Sequence, residues 1–425
     1  MGDTPHSRPS LDERRAGTDH WGMAQLTQLP FFSSRTERIA LARRRYFEDG
    51  QAPTGVISDA VFQSWARCRR LHGGPNHEVV FQPVSLSRTH LALQKNRELQ
   101  AAWIEELPEL QTLLGTTTCA AMLTDATGVL IGATCAGRAH ERVMPVATRI
   151  GVNLAEEAVG TTAPGVVVRT GEPVCVLGAE HFFDDIRVMH CAAVPIRDTA
   201  GRLAGVLDVS SESIPFRFDA ASVVGLYAAA IENRLLIAQS VDHLVLRFQT
   251  TPTLLDSPVA ALVGIDSGGR VAWHNRVACR LLGLPRLSPG DPRTPVESAL
   301  GMQLTRLASL PASGSADVRL PNGLMVWARC EMRARDGRAN LLPMPHPDPQ
   351  HTAPQLSSVP DAARGGASDG DGVDNADPVP TLRDCDRDVI ARTLKECDGN
   401  VSLTARKLRV SRGLIYRRLR EPTPA

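Results

Sequence analysis

Lysine is scarce in this chain of 425 residues and occurs only at Lys95, Lys395 and Lys407. Glycine precedes none of them. The sequence therefore lacks the glycine-rich loop ending in GlyLys, in which the lysine contacts the terminal phosphates of a nucleotide. We accordingly predict that the protein does not hydrolyse ATP. Since the spacing of its cysteines does not support a thiol enzyme either, we expect that it is not an enzyme.

Other features are also missing. There is no run of eighteen apolar residues and no apolar core in the first thirty positions, so we predict neither a membrane span nor a signal peptide. The nine cysteines form no CxxC pair, which is typical of reduced thiols in a cytoplasm. His181, His190 and Cys191 do not have the spacing of a metal motif. We expect a cytoplasmic protein without metal or cofactor.

The C-terminal stretch from Thr381 onward is rich in helical signals. Its apolar residues recur with helical spacing in three segments, with Gly399 placed to end the first helix and Asn400 to cap the second. The last two segments are separated by a short turn at 409–411. Three short helices with a tight turn before the third predict a helix-turn-helix.

Positive charge is concentrated in the same unit. Between Ala405 and Arg420 there are seven arginines or lysines and no acidic residue, whereas the whole chain has a net charge of only +1. A solvated basic face would explain some of this charge, but its clustering on the third helix and turn favours phosphate contact. If Ile415 and Leu419 pack inward, the third helix presents its polar side to a major groove. The predicted DNA-contacting residues are Asn400, Ser402, Arg406, Ser411, Arg412, Gly413, Tyr416, Arg417, Arg418 and Arg420.

The segment GlyAsnValSer followed by LeuArgValSerArg and IleTyrArgArgLeu resembles the Fis-type helix-turn-helix that ends many bacterial enhancer-binding transcription factors. Two positions depart from that pattern. Arg409 stands where the turn usually has glycine, and Gly413 stands where asparagine is frequent. The resemblance implies double-stranded DNA as a partner, with a base preference of its own.

The N-terminal third is predicted to be helical after a disordered segment at 1–34. Helical patterns fill 35–114, with Ser58 as a cap and one long helix over 87–114. Ser64-Trp65-Ala66-Arg67-Cys68 resembles a signature near the N-terminus of acetoin-catabolism-regulator-type activators. Read from periodicity alone, Val61, Trp65 and Cys68 simply form a helix stripe that packs on a core.

The region 115–240 alternates with period two and predicts a sheet covered by helices. We expect a hairpin at 120–132, strands at 165–169 and 173–177, and a second hairpin over 191–209. The runs GluGluAlaValGlyThrThrAla and CysAlaAlaValProIle in this region resemble the GAF sensory domain of the same regulators. That resemblance implies a small organic effector near Glu157, Thr161, Thr162, His181 and Cys191. Ordinary structural roles for these residues, such as Cys191 as a buried small side chain, remain open.

A long helix is predicted over 218–248. Val224, Ala228, Ile231, Leu235 and Ala238 follow the spacing of a coiled-coil seam, which would give a homodimer able to meet two half-sites of DNA. Packing of the same residues against the preceding sheet explains the pattern equally well.

The region 250–343 predicts a second small α+β unit that resembles a PAS domain. It has a hairpin over 263–275, Asn275 in position to cap a helix, and closing strands at 316–320 and 324–331. The stretch 344–380 is dominated by Pro, Gly, Asp, Ser and Ala, so we expect a flexible linker. The helix-turn-helix then occupies 381–421.

The sequence as a whole predicts an α+β multidomain protein in which GAF-like and PAS-like sensory domains precede a small all-α DNA-binding domain. The regulators it resembles usually have a central AAA+ ATPase that engages sigma-54, and its motifs are missing here. We therefore expect a DNA-binding transcription regulator without ATPase activity, which acts by recruitment, by occlusion, or by competing or pairing with a full-length relative. RNA polymerase and a full-length paralogue are the candidate protein partners. Two alternatives are a sensory adaptor that works only through protein contacts and a thiol reductase using Cys135, Cys175 or Cys191.

Overall fold

The computed structural model describes residues 34–53, 55–333, 339–340, 393–395, 397, 399–408 and 415. The chain divides into two compact units, Met1–Ile57 and Ser58–Ala425. In the first unit, helix α1 spans Arg35–Phe47. Ser34 begins it with a capping box, since its hydroxyl accepts from the Glu37 backbone while the Glu37 carboxylate accepts from the Ser34 backbone.

The second unit opens with three helices, α2 (Asp59–His72), α3 (Leu86–Lys95) and α4 (Arg97–Leu114). Ser58 caps α2 as predicted. Val61, Trp65 and Cys68 are fully buried along α2, which confirms the core-packing interpretation of that stripe. The prediction of a single helix over 87–114 is wrong. Asn96 leaves helical geometry (φ −105°, ψ 25°) and separates α3 from α4.

The first sheet has five antiparallel strands in the order β2-β1-β5-β4-β3. Both predicted hairpins are confirmed, as is the strand predicted at 173–177. The strands are β1 (Cys119–Asp125), β2 (Leu130–Ala133), β3 (Val174–Leu177), β4 (Met189–Arg197) and β5 (Leu203–Glu212).

The strand predicted at 165–169 is wrong. Its Val166, Val167 and Val168 favour a strand by propensity, but the segment lies in helix α7 (Ala163–Thr170). Thr162 caps this helix, Pro164 occupies its first turn, and Gly171 ends it with a left-handed backbone (φ 68°). The capping threonine, the proline and the terminal glycine thus outweigh the strand propensity of the three valines. Two single-turn helices precede it, α5 (Met144–Ala147) and α6 (Glu156–Val159).

Helix α8 (Ala220–Ala238) packs with α4 against one face of the first sheet. Val224, Ala228, Ile231 and Leu235 are buried in that core. The residues of the predicted coiled-coil seam therefore pack inside this chain. By length and composition α8 is the one helix in the described part of the chain that could cross a membrane, a test that core helices also pass. It ends ten residues before the predicted 248, because Asp242 adopts a left-handed turn (φ 63°) and a strand follows.

The second sheet has the order β11-β10-β6-β7-β8, with β9 paired to β10. Helices α9 (Arg276–Leu282), α10 (Val296–Leu300) and α11 (Leu304–Ala308) accompany it, and Asn275 caps α9 as predicted. The strands are β6 (Leu244–Gln249), β7 (Ala261–Ile265), β8 (Val271–His274), β9 (Ala316–Arg319), β10 (Met325–Arg333) and β11 (Ala339–Asn340). The described part of the molecule is therefore a mixed α/β structure with two antiparallel sheets.

Near the C-terminus the structure describes helix α12 (Val401–Leu408). Val401, Ala405 and Ile415 form a small buried cluster with Leu394 and Leu408 packed against it. The inward packing of Ile415 agrees with the sequence prediction. The predicted disordered start at 1–34, apart from its last residue, and the whole predicted linker at 344–380 lie outside the described residues.

Candidate functional site

The face of the first sheet opposite α4 and α8 has a set of buried polar side chains. We call it the α7 face, because helix α7 lies against it. Strand alternation and the antiparallel register place its members together: Met122 and Thr124 on β1, Cys191 and Ala193 on β4, and Asp208 and Ser210 on β5. All six are less than 5% exposed. This face is where the predicted His181 and Cys191 are found.

His181 and Cys191 contact each other. The Nε2 atom of His181 lies 3.4 Å from the Cys191 sulfur, and its Nδ1 atom lies 3.0 Å from the carbonyl oxygen of Gly178. Burial raises the pKa of the Cys191 thiol well above its usual value, and the nearby Asp208 raises it further. The thiol is therefore protonated near neutral pH and a poor nucleophile. Cys175 pairs with Ala192 while Val176 pairs with Cys191, so the two cysteine side chains point to opposite faces of the sheet.

Thr161 and Thr162 are buried and their hydroxyl groups bond inside the protein. The Thr161 hydroxyl lies 2.7 Å from that of Ser64 on α2, and the Thr162 hydroxyl donates to the Leu154 carbonyl (3.2 Å) and caps α7. Glu157 is exposed to solvent. The preceding Glu156 is instead buried. The structure thus brings His181 and Cys191 to the α7 face, gives the two threonines structural bonds and leaves Glu157 outside.

Asp208 is a member of this face that the sequence analysis did not select. It is fully buried, and its Oδ2 atom accepts a 2.6 Å hydrogen bond from the Ser210 hydroxyl. Burial raises its pKa from 3.8 to about 7, an effect that the Ser210 bond only partly offsets. The sequence did contain a signal for this residue, because Asp208 is a charged residue between Leu207 and Val209 in the second strand of the predicted hairpin.

Glu212, the last residue of β5, connects the end of this central strand to the start of α5. Its carboxylate accepts from the backbone nitrogens of Arg142, Val143 and Met144, at 2.9, 2.9 and 3.0 Å. These bonds satisfy backbone N–H groups at the start of α5 that have no partner within the helix. In the described ranges no group of three histidine, cysteine or acidic side chains comes together as a metal site.

The predicted DNA interface is described only in part. Asn400 caps α12, its Oδ1 atom accepting from the Leu403 nitrogen at 3.1 Å, and Gly399 before it has a positive φ of 77°, both as predicted. Arg406 is exposed, and the hydroxyl of the half-buried Ser402 hydrogen-bonds to that of Ser267. The other predicted contact residues, Ser411, Arg412, Gly413, Tyr416, Arg417, Arg418 and Arg420, lie outside the described residues.

Two protein families match the chain. Residues 36–224 match the family described as MimR, N-terminal domain, and residues 381–421 match the bacterial regulatory proteins of the Fis family. The first match contains the helices before the first sheet and all five of its strands, and the second contains α12. The two matches thus cover the first part of the chain and its C-terminal stretch.

Three curated relatives are similar to parts of the chain. The acetoin catabolism regulatory protein of Cupriavidus necator is 27% identical over 249 residues, which is 54% of this chain and 36% of the relative. The acetoin dehydrogenase operon transcriptional activator AcoR of Bacillus subtilis is 31% identical over 39% of this chain and 28% of its own length.

The third is the propane 2-monooxygenase operon transcriptional activator MimR of Mycolicibacterium smegmatis, which is 28% identical over 46% of this chain and 32% of its own length. The chain therefore spans about a third of the length of these relatives. The chain therefore matches the MimR-type N-terminal domain in its first part and the Fis family at its C-terminus, and over part of its length it is similar to acetoin-regulator-type activators.

Proposed function

We propose that this protein is a cytoplasmic DNA-binding transcription regulator that senses a small organic effector at its first sheet and has no ATPase activity. The observation that carries the proposal is the C-terminal unit. The Gly399–Asn400 helix start and the Val401, Ala405 and Ile415 core form where the Fis family matches, and the most basic stretch of the chain follows. Such a unit presents cations to phosphates and side chains to base edges.

The α7 face supports the sensing part of the proposal. Helix α7 lies against it, and it brings His181 and Cys191 together with Asp208 and Ser210. Of the other predicted effector residues, Thr161 and Thr162 hold the segment around α7 in place through their hydrogen bonds, whereas Glu157 lies outside this face. The second, PAS-like sheet would transmit the conformational change caused by effector binding to the C-terminal unit. Two such units in a homodimer would then bind a palindromic operator.

An electrophoretic mobility shift with the protein's own upstream DNA tests the proposal. We expect a shift that weakens steeply between low and physiological salt, because phosphate contacts release counterions. Arg412→Ala combined with Arg417→Ala is expected to weaken specific binding by about 1–3 kcal/mol for each arginine that reaches a base.

A matched control removes two positive charges elsewhere. Arg88→Ala with Arg97→Ala changes two exposed residues outside the C-terminal unit and should leave the shift unchanged. No shift at low salt would contradict DNA binding, and equal shifts for the two double variants would contradict base contact through Arg412 and Arg417. Co-purification with a longer regulator and no footprint would instead favour the adaptor alternative.

A further inference from the structure

Strand β9 lies at an edge of the second sheet. It pairs with β10 on one side, and in the described part of the chain no strand pairs with its other side. Such an edge presents unpaired N–H and C=O groups that a further strand can bind. The side chains of β9 alternate in burial, since Val318 is 4% exposed whereas Asp317 and Arg319 face the solvent. The strand therefore offers both backbone groups and charged side chains to a partner.

The turn between β9 and β10 determines which backbone groups of β9 are free. The Leu320 nitrogen donates to the Leu324 carbonyl oxygen at 2.9 Å, so these two residues form a hydrogen-bonded pair. Antiparallel pairs alternate between hydrogen-bonded and non-hydrogen-bonded ones. The pairs that Arg319 and Asp317 make with β10 are therefore not hydrogen-bonded. The N–H and C=O groups of these two residues consequently point away from β10, towards the open edge.

The two charges of β9 complement those of a second copy of the same strand. Asp317 and Arg319 lie one residue before and one residue after Val318, and within the described ranges neither forms an ion pair with its own chain. If two β9 strands pair antiparallel around Val318, a two-fold axis places Asp317 of each copy opposite Arg319 of the other. Opposite charges in facing positions stabilise a strand pair, whereas like charges oppose it.

The backbone and the side chains require the same register. When Asp317 faces Arg319 of the other copy, the outward-pointing N–H and C=O groups of both residues meet and form a hydrogen-bonded pair. The two-fold axis repeats this pair on the other side of Val318. A shift by one residue would instead place a residue with inward-pointing backbone groups opposite each of them, and it would separate the charges. The edge of β9 is thus complementary to itself in one register.

Two large apolar side chains lie next to this edge on the exposed face of β10. Trp327 faces Asp317 and is 38% exposed, and Met325 faces Arg319 and is 50% exposed. Tryptophan and methionine are enriched in the interfaces between proteins. A second sheet joined at β9 continues this face, so both side chains then lie inside a surface formed by two copies rather than beside its border.

We propose that two copies of this chain associate through their β9 strands, antiparallel and centred on Val318, so that one sheet continues across a two-fold axis. This inference rests on the homodimer of the proposed function, and it names the surface that joins the two copies. The contact uses the open edge of β9 in both copies, so association through it stops at a dimer.

Sedimentation equilibrium of the full chain tests the proposal. We expect a dimer whose dissociation constant increases with salt, because exposed charges are screened. Asp317→Arg and Arg319→Asp each place like charges opposite one another in both symmetric pairs and should weaken the dimer about tenfold. The double variant that combines them restores opposite charges in every pair and should dimerise like the parent protein. As a control, Arg88→Asp makes the same charge change as Arg319→Asp at an exposed position of α3 and should leave the dimer unchanged.

Hydrogen exchange of the peptide that contains β9 is the second measurement. The amides of Asp317 and Arg319 should be protected at high protein concentration and exchange faster on dilution, because the second copy supplies their acceptors. The inference is overturned if the chain is monomeric, if both single variants dimerise normally, or if the double variant is as weak as the single ones. Thermal unfolding of each variant separates loss of the dimer from loss of the fold. Neither measurement contains DNA, so failure here leaves the mobility-shift test of DNA binding intact.

Discussion

Arg67 and Glu156 form a two-point ion pair that joins α2 to α6. The Arg67 Nε atom lies 2.7 Å from Oε2 of Glu156, and the Nη2 atom lies 2.6 Å from Oε1. The Glu156 side chain is 3% exposed and that of Arg67 is 20% exposed. Because α6 directly precedes Thr161 and α7, this pair holds in place the segment that covers the α7 face.

Removing one partner of this pair should destabilise the protein. Glu156→Gln leaves the Arg67 guanidinium without its carboxylate, and we expect a loss of about 2 kcal/mol in the free energy of unfolding, less than for a completely buried pair. Glu157→Gln is the matched control, since the adjacent side chain is exposed, and should change stability by less than about 0.5 kcal/mol. Urea unfolding gives both values. Equal effects for the two variants would contradict a structural role for the pair.

The buried carboxyl of Asp208 should make stability depend on pH. Its pKa is raised from 3.8 to about 7 in the folded protein, so the folded state keeps a proton that the unfolded chain releases above about pH 4. Its contribution to stability is therefore complete below pH 4 and is lost as pH rises towards 7. Asp208→Asn cannot ionise, and its stability relative to the parent should rise by up to about 4 kcal/mol over this window.

Urea unfolding at several pH values between 4 and 8 measures this difference. Asp219→Asn serves as the control, because Asp219 caps α8 with its carboxylate and its pKa is lowered by bonds from Ser222. That variant should show no comparable gain with rising pH. A difference between Asp208→Asn and the parent that stays constant across the range would show that Asp208 ionises normally.

Asn275 links α8 to the second sheet. Its Nδ2 atom donates to Asn233 Oδ1 (2.8 Å) and to the Ala260 carbonyl (2.7 Å), while its Oδ1 atom caps α9. Asn275→Ala removes the cap and leaves buried acceptors without a donor, so we expect a loss of about 2–4 kcal/mol. Asn275→Ser retains a capping oxygen and should lose roughly 1 kcal/mol less. Chemical denaturation followed by far-UV circular dichroism compares them, and identical losses would mean that the cap contributes nothing.

Two glycines should respond in opposite directions to the same substitution. A Cβ atom on Gly264 in β7 would lie 2.0 Å from the Trp273 indole nitrogen, so Gly264→Ala must displace a buried ring and should cost about 2–3 kcal/mol. A Cβ atom on Gly225 in α8 would meet nothing within 4 Å, and Gly225→Ala should stabilise the helix by about 0.5–1 kcal/mol. Thermal and urea unfolding measure both. Destabilisation by Gly225→Ala would show that this helix face is covered.

Local signals in the sequence determined much of the secondary structure. Ser58, Asn275 and Asn400 cap helices where the chain predicts them, because capping depends on a side chain and the backbone two or three residues ahead. The hairpins around 125–128 and 198–201 also formed as predicted, since turn residues and period-two alternation are local properties. The basic C-terminal stretch and its Fis resemblance were likewise readable from sequence.

Tertiary structure decided which candidate side chains share a face. His181 and Asp208 reach the same face as Cys191 only because β5 pairs with β4 and the loop after β3 turns back over them, contacts between residues far apart in the chain. The burial that raises the pKa of Asp208 has the same origin, because desolvation depends on every neighbour packed around the carboxyl. Tertiary packing also decided that the apolar residues of α8 contact the sheet of their own chain. A coiled coil with a second chain requires the same spacing of apolar residues, so the sequence could not distinguish the two.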